Sequence, residues 1–168
     1  IMYSCHIHFY LLGTDCPLFD IARDMPPLAH FTHSFYSDSR LVPEEARKAD
    51  IILALLPEED PAETLQALTE AKRADAECIL LANSQQTVSL AAESPTLAKD
   101  IWTMPLGAEE FRFRFLRWQQ AFKQSKDFLE TSHFLDAVLN SSPNLIWFKD
   151  KNGIHEKVND SFCRTVNK

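Results

Sequence analysis

The chain has 168 residues, 45% hydrophobic and 24% charged, enough apolar material for a core without covalent staples. Seventeen basic residues against 24 acidic ones give a formal charge of −7, a balance that disfavours nucleic acid, whose phosphates must be met by lysine and arginine. Three glycines and no GxGxxG or GxxxxGK pattern leave little room for a phosphate-cradling loop. No run of about 18 apolar residues marks a membrane span. The start has no basic region followed by an apolar run, so no secretory signal is expected. Cys5, Cys16, Cys78 and Cys163 form no CxxC pair and are expected to be buried free thiols of a cytoplasmic protein.

In chain order, Cys5 to Leu12 suits a first strand closed by Gly13-Thr14-Asp15. Thr14 or Asp15 is placed to cap a helix with Pro17 in its first turn, and Pro26-Pro27 ends that helix. A weaker strand is predicted over residues 29–36 and a short helix from Pro43 to Ala49. Residues 50–56 are apolar on both faces, as a central parallel strand requires. Asp60-Pro61 opens a helix carrying Leu65, Leu68 and Ala71. A strand over 77–82, a helix through Val88, Leu90 and Ala91 broken at Pro95, and a strand over 100–104 complete five strand-then-helix repeats. Such alternation predicts an α/β fold, with helices on both faces of a parallel sheet, right-handed crossovers and the doubly wound order 2-1-3-4-5.

This order of elements, with the stretches Asp50 to Pro57 and Asp100-Ile-Trp-Thr-Met-Pro-Leu-Gly-Ala-Glu-Glu to Phe115, resembles a response-regulator receiver domain, flavodoxin-like (CheY-like) in fold, over residues 1–122. The resemblance implies a phosphorylation site at the carboxyl edge of the sheet: acidic residues after the first strand for Mg²⁺, an acceptor aspartate ending the third, a hydroxyl after the fourth and a lysine before the last proline. This chain has Leu12 and Gly13, then Leu55 (or Ala54 with a one-residue slip), then Ala82 with Ser84 nearby, and finally Met104. All four positions depart from the pattern. The expectation is therefore a pseudo-receiver without phosphorylation chemistry, catalytic residues, cofactor or metal. Asp15, Glu58, Glu59 and Asp60 are the candidates for a displaced acidic site; for the last three a solvated loop and helix start, where the dipole favours negative charge, is the preferred account.

Four histidines on the first two strands could in principle bind zinc, but edge or helix-packing histidines are the expectation. His6 and His8 share one face of the first strand, whereas His30 and His33 differ by an odd number and fall on opposite faces of a regular second strand.

From Ala108 to about Asn140 no proline or glycine occurs. A helix of about 30 residues is roughly 45 Å long, more than one small domain covers. Phe115, Trp118, Phe122 and Leu129 fit a seam for a parallel homodimer, followed by a phase shift like a stutter. A break near Ser125 is the alternative.

Residues 133–168 contain Trp-Phe-Lys-Asp-Lys-Asn-Gly, then Glu-Lys-Val-Asn-Asp-Ser-Phe-Cys, and resemble the start of a PAS (α+β) domain. The expected parts are a strand over 145–149, a tight Asn152-Gly153 turn, a strand over 154–158 and a helix capped by Asn159. A complete domain of that kind takes about 100 residues, so the remainder is expected past Lys168. Together the resemblances imply a non-catalytic regulatory segment, acting in cis on an output domain, with a diguanylate cyclase (GGDEF) favoured over a sensor histidine kinase. A live receiver with a displaced acceptor, and a small α/β nucleotide-binding domain or enzyme, are the competing readings.

Overall fold

A computed structural model describes residues 4–166. The chain divides into two compact units, Ser4–Gln120 and the part from Ala121 onward, and the division falls inside one helix.

The first unit is a five-stranded parallel sheet. In chain order it contains β1 (Cys5–Leu12), α1 (Pro17–Asp24), β2 (Phe31–Asp38), α2 (Pro43–Lys48), β3 (Ile51–Leu55), α3 (Pro61–Ala71), β4 (Glu77–Ala82), α4 (Ser84–Glu93) and β5 (Asp100–Thr103). The strand order is β2-β1-β3-β4-β5, all parallel, the doubly wound flavodoxin-like arrangement.

Strand periodicity sorts the core. Tyr10, Leu12, Ile52, Ala54, Cys78, Leu80 and Ala82 project to one face and pack with Ala46 of α2, Leu68 and Ala71 of α3 and Leu90 of α4. Burial pushes the Cys78 thiol up to about 12, so it behaves as a small core hydrophobe. The alternate residues face α5 (Ala108–Ser141), whose Phe111 meets Trp102 and whose Phe115 meets Phe9. Phe111 and Phe115 stack on each other and are fully buried.

Several boundaries differ from expectation, each for a local reason. The second strand starts two residues later and runs to Asp38, because His30 takes a left-handed conformation at φ 68°. Helix α1 is capped by neither Thr14 nor Asp15. Cys16 holds the N-cap position with no side-chain bond, and Asp15 is itself left-handed at φ 50°. At α4 the cap is complete. Asn83 accepts from the Gln86 N–H, and the Gln86 side chain accepts from the Asn83 N–H. No break occurs near Ser125; α5 runs unbroken for 34 residues. Among the described residues, no helix is long and apolar enough to cross a membrane.

The second unit holds the end of α5, an antiparallel pair β6 (Trp147–Lys149) and β7 (His155–Val158), and α6 (Asp160–Val166). The turn is longer than the predicted two-residue Asn-Gly type. Asp150 organises it, accepting from the N–H groups of Asn152 and Ile154 at 2.8 Å each, and only Gly153 there has positive φ. The side chain of Asn159 is buried and makes four bonds. It accepts from the N–H groups of Ile146 and Phe162 and donates to the carbonyls of Leu139 and Asn144.

Candidate functional site

In an open α/β sheet, ligands gather outside the carboxyl ends of the strands. Here those ends are Leu12, Leu55, Ala82 and Thr103, with Asp38 at the end of the edge strand β2. Leu12 and Ala82 are buried. Ala54 lies inside the core with Tyr10 and Leu80, so Leu55 is the β3 side chain at the rim, half-buried.

Leu55 is bound up with Gly13. Gly13 has φ 152°, and its N–H donates to the Asp38 carbonyl at 3.0 Å. A Cβ placed on Gly13 would lie 2.7 Å from the Leu55 Cβ and 3.3 Å from the Phe19 ring. The glycine is thus required twice, by its backbone angle and by the side chain across from it. At this part of the rim the side chains nearest Gly13 are apolar, Leu55 of β3 and Phe19 of α1.

The remaining rim is tied down by neutral polar groups. Gln86 donates from Nε2 to the Pro57 carbonyl at 2.7 Å, fastening the start of α4 to the loop after β3. The hydroxyls of Thr87 and Thr103 are 3.1 Å apart. Met104, half-buried, has its N–H on the Ala82 carbonyl at 2.6 Å and precedes a cis bond to Pro105. Ser84 is exposed as the first residue of α4.

The candidate acidic residues do not converge. Asp15, Glu58, Glu59 and Asp60 are all exposed. Asp60 is the N-cap residue of α3, left-handed at φ 49°, and its side chain makes no cap bond. Among the described residues, no three His, Cys, Asp or Glu side chains come together as a metal site. One rim carboxylate escaped the sequence reading. Asp38, half-buried, accepts from the Arg40 N–H at 3.2 Å. Placing the strand end at residue 36 hid its position beside Leu12.

Beside Gly13 and Leu55 lies an open cavity of about 770 Å³, floored by Leu12, Leu55, Leu56 and Ala67 and rimmed by Thr14, Ser39, Arg40, Glu58, Glu63 and Thr64. Among the described residues lining it, Arg40 is the one cation.

The predicted helix seam is divided. Phe115 is fully buried and stacks with Phe111 and Trp118. It is core of the first unit and offers a second copy nothing. Trp118 is half-buried against Phe9, and Phe122 is buried. Leu129 is exposed, together with Phe128, Phe134, Leu135 and Val138. The reading also missed Gln119, 1% exposed, with neither amide atom hydrogen-bonded. The thiols divide as well: Cys78 is buried, Cys5 and Cys16 are half-buried, and Cys163 is exposed.

No family model matches the chain, and no curated protein does. Among solved structures, a putative CpaE2 pilus assembly protein from Sinorhizobium meliloti superposes with a TM-score of 0.46 at 12% identity. The match covers 62% of this chain and 93% of that one. A likeness at that level assigns neither family nor activity.

Proposed function

We propose that this chain is a non-catalytic regulatory segment of a signal-transduction protein, in which a receiver-like fold serves as a docking and dimerisation unit and takes no phosphoryl group. One observation supports the reading: Leu55 stands at the rim of β3 against Gly13, so the position that an acceptor carboxylate would take carries an alkyl side chain with no nucleophilic oxygen. The test is incubation with acetyl phosphate, or with beryllofluoride and Mg²⁺. The expected result is no phosphoryl adduct in the intact mass and no shift in melting temperature. A stoichiometric adduct on Asp15, Glu59 or Asp60 would establish a displaced acceptor instead.

The finer parts of the proposal rest on α5 and the hairpin. The exposed Phe128, Leu129, Leu135 and Val138 support a parallel homodimer through the far half of α5, since an apolar stripe of that length needs a cover. The hairpin, its Asp150-organised turn and the Asn159-capped α6 support a PAS-type start, through which the helix would pass a change of register or rotation to an output domain in cis. The Trp147 to Cys163 wording supports a diguanylate cyclase of the GGDEF type as that output.

The cavity beside Gly13 favours a second reading, a small-ligand domain, because it lies at the β1/β3 switch point of the sheet. With two carboxylates, Glu58 and Glu63, and the single cation Arg40 among the described residues lining it, the rim suits polyphosphates poorly. Stabilisation of the protein by GTP or another nucleotide would favour this reading over the first.

A further inference from the structure

Strand β1 is covered unequally. From Phe9 to Leu12 every side chain is buried, but His6 and His8 are exposed on the face that carries Tyr10 and Leu12 further along. Parallel pairing sets His6 beside Thr32 and His8 beside Ser34. The result is an open patch of two imidazoles and two hydroxyls at the amino end of the sheet, opposite the rim discussed above.

The two rings converge. Their centroids are 4.6 Å apart with planes at 74°. His6 Nε2 lies 3.0 Å from the Ser34 hydroxyl oxygen and His8 Nδ1 lies 2.5 Å from the same oxygen. His6 Nδ1 is 2.6 Å from Thr32 Oγ1. One proton per ring completes this chain: Thr32 donates to His6 Nδ1, His6 Nε2 donates to Ser34, and Ser34 donates to His8 Nδ1. Two imidazole nitrogens from positions i and i+2 of one strand thus converge on the hydroxyl of the half-buried Ser34. The Asp50 carboxylate adds negative charge nearby, accepting from the His8 N–H at 2.9 Å while pairing with Arg73 at 2.8 Å.

We propose that His6 and His8 form a chelating site for a borderline divalent transition-metal ion, zinc or nickel. The ion would lie between His6 Nε2 and His8 Nδ1, with Ser34 or water completing its shell. Imidazole is a favoured ligand for these ions, with metal–nitrogen distances of about 2.0–2.1 Å, and binding takes the other His6 tautomer, with the proton on Nδ1 towards Thr32 and the Nε2 lone pair free for the ion. His33 takes no part, since it lies on the other face against Phe9 and Phe35, nor does His30, which stands before the strand. The site is independent of the carboxyl edge and of the proposed signalling role.

The test is isothermal titration of the full 168-residue chain, free of any affinity tag, with Ni²⁺ and with Zn²⁺ near pH 7.5. One saturable site is expected, weakened about tenfold or more by His6→Ala or His8→Ala and unchanged by His33→Ala. Acidification should weaken it as protons compete for the ring nitrogens. Paramagnetic broadening by Ni²⁺ that is strongest at the His6 and His8 imidazole resonances reads the same site in the unmutated protein. No saturable binding, or binding that survives His6→Ala and His8→Ala together, overturns the proposal. Broadening centred on Cys5, Cys16 or His133 does so as well.

Discussion

Among the described residues each unit buries one side-chain amide, and the two could hardly differ more. Asn159 makes four hydrogen bonds that join the end of α5, the loop before β6 and the start of α6. Gln119, on the sheet-facing side of α5, makes none. The first unit is held by hydrocarbon packed on both faces of its sheet and tolerates a polar flaw. The second holds its chain path with a polar knot and leaves Trp147, Phe148, Ile154 and Leu145 exposed. Buried polar groups rigidify when fully satisfied and cost stability when they are not. The second unit therefore depends on one residue in a way that the first does not.

The largest effect should come from Asn159→Ala. It orphans two N–H groups and two carbonyls, each costing about 1–3 kcal/mol where water cannot replace the bond. Near-UV circular dichroism from Trp147 packed on Phe162 should be lost while the sheet unit still melts cooperatively. A variant that keeps the Trp147 signal would show that the knot is dispensable. In the other unit, Gln119→Leu should gain about 1–3 kcal/mol by removing an uncompensated amide, read as a higher urea midpoint. A loss of stability would mean that Gln119 holds a partner or an internal water.

The rim of the sheet offers a steric version of the same contrast. Gly13→Ala should cost about 1–3 kcal/mol as an overpacking change at a positive-φ site. Leu55→Ala should not rescue it, because the clash is with the Leu55 Cβ, which alanine keeps. Rescue by Leu55→Gly alone would confirm that the two positions are fitted to each other.

How far this was legible in the sequence depends on the kind of signal. Strands β1 and β4 and the doubly wound order followed from apolar runs between turn residues, because a two-sided buried strand leaves little choice of residue type. The turn conformations at Asp15, His30 and Asp60 were not legible, since Asp and His are enriched among left-handed residues yet only a small minority of them adopt that conformation. The apolar residues at the rim, Leu55, Ala82 and Met104, could be read from the sequence, but the close approach of Gly13 to Leu55 is a distance between strands. Phe115 was misplaced on the seam because a seam and a core stripe share one periodicity. Only the neighbours on β1 and β5 tell them apart. Gln119 was passed over for the related reason that an apolar count skips the polar member of a buried face.

Smaller in stability but sharper in assembly is Phe128→Glu with Leu135→Glu. Both residues are exposed, so the monomer should change by no more than about 0.5 kcal/mol. Sedimentation should move from dimer to monomer. A monomer before mutation would leave the far half of α5 without its second copy and remove the dimer from the proposal.

The gentlest probe is pH. His33 Nε2 is buried without a hydrogen-bond partner, and burial, helped by the nearby His6, holds the imidazole below its ordinary value. The neutral ring is thus favoured in the folded state, whereas the unfolded chain takes up a proton near pH 6.5. Where the unfolded state binds more protons, stability rises with pH. The contribution of His33 is complete above about pH 6.5, and it fades as pH falls through the lowered folded-state value. The groups facing it are Phe9 and Phe35 on the sheet and His6 through space, with no carboxylate among these contacts to reverse the sign. Urea midpoints measured from pH 7.5 down to 5 should fall, and His33→Phe, which keeps the ring packing and removes the titration, should flatten the part of that fall due to this residue. If both proteins lose stability in parallel, the acid sensitivity lies elsewhere, and the buried imidazole is compensated by a contact that opens only in solution.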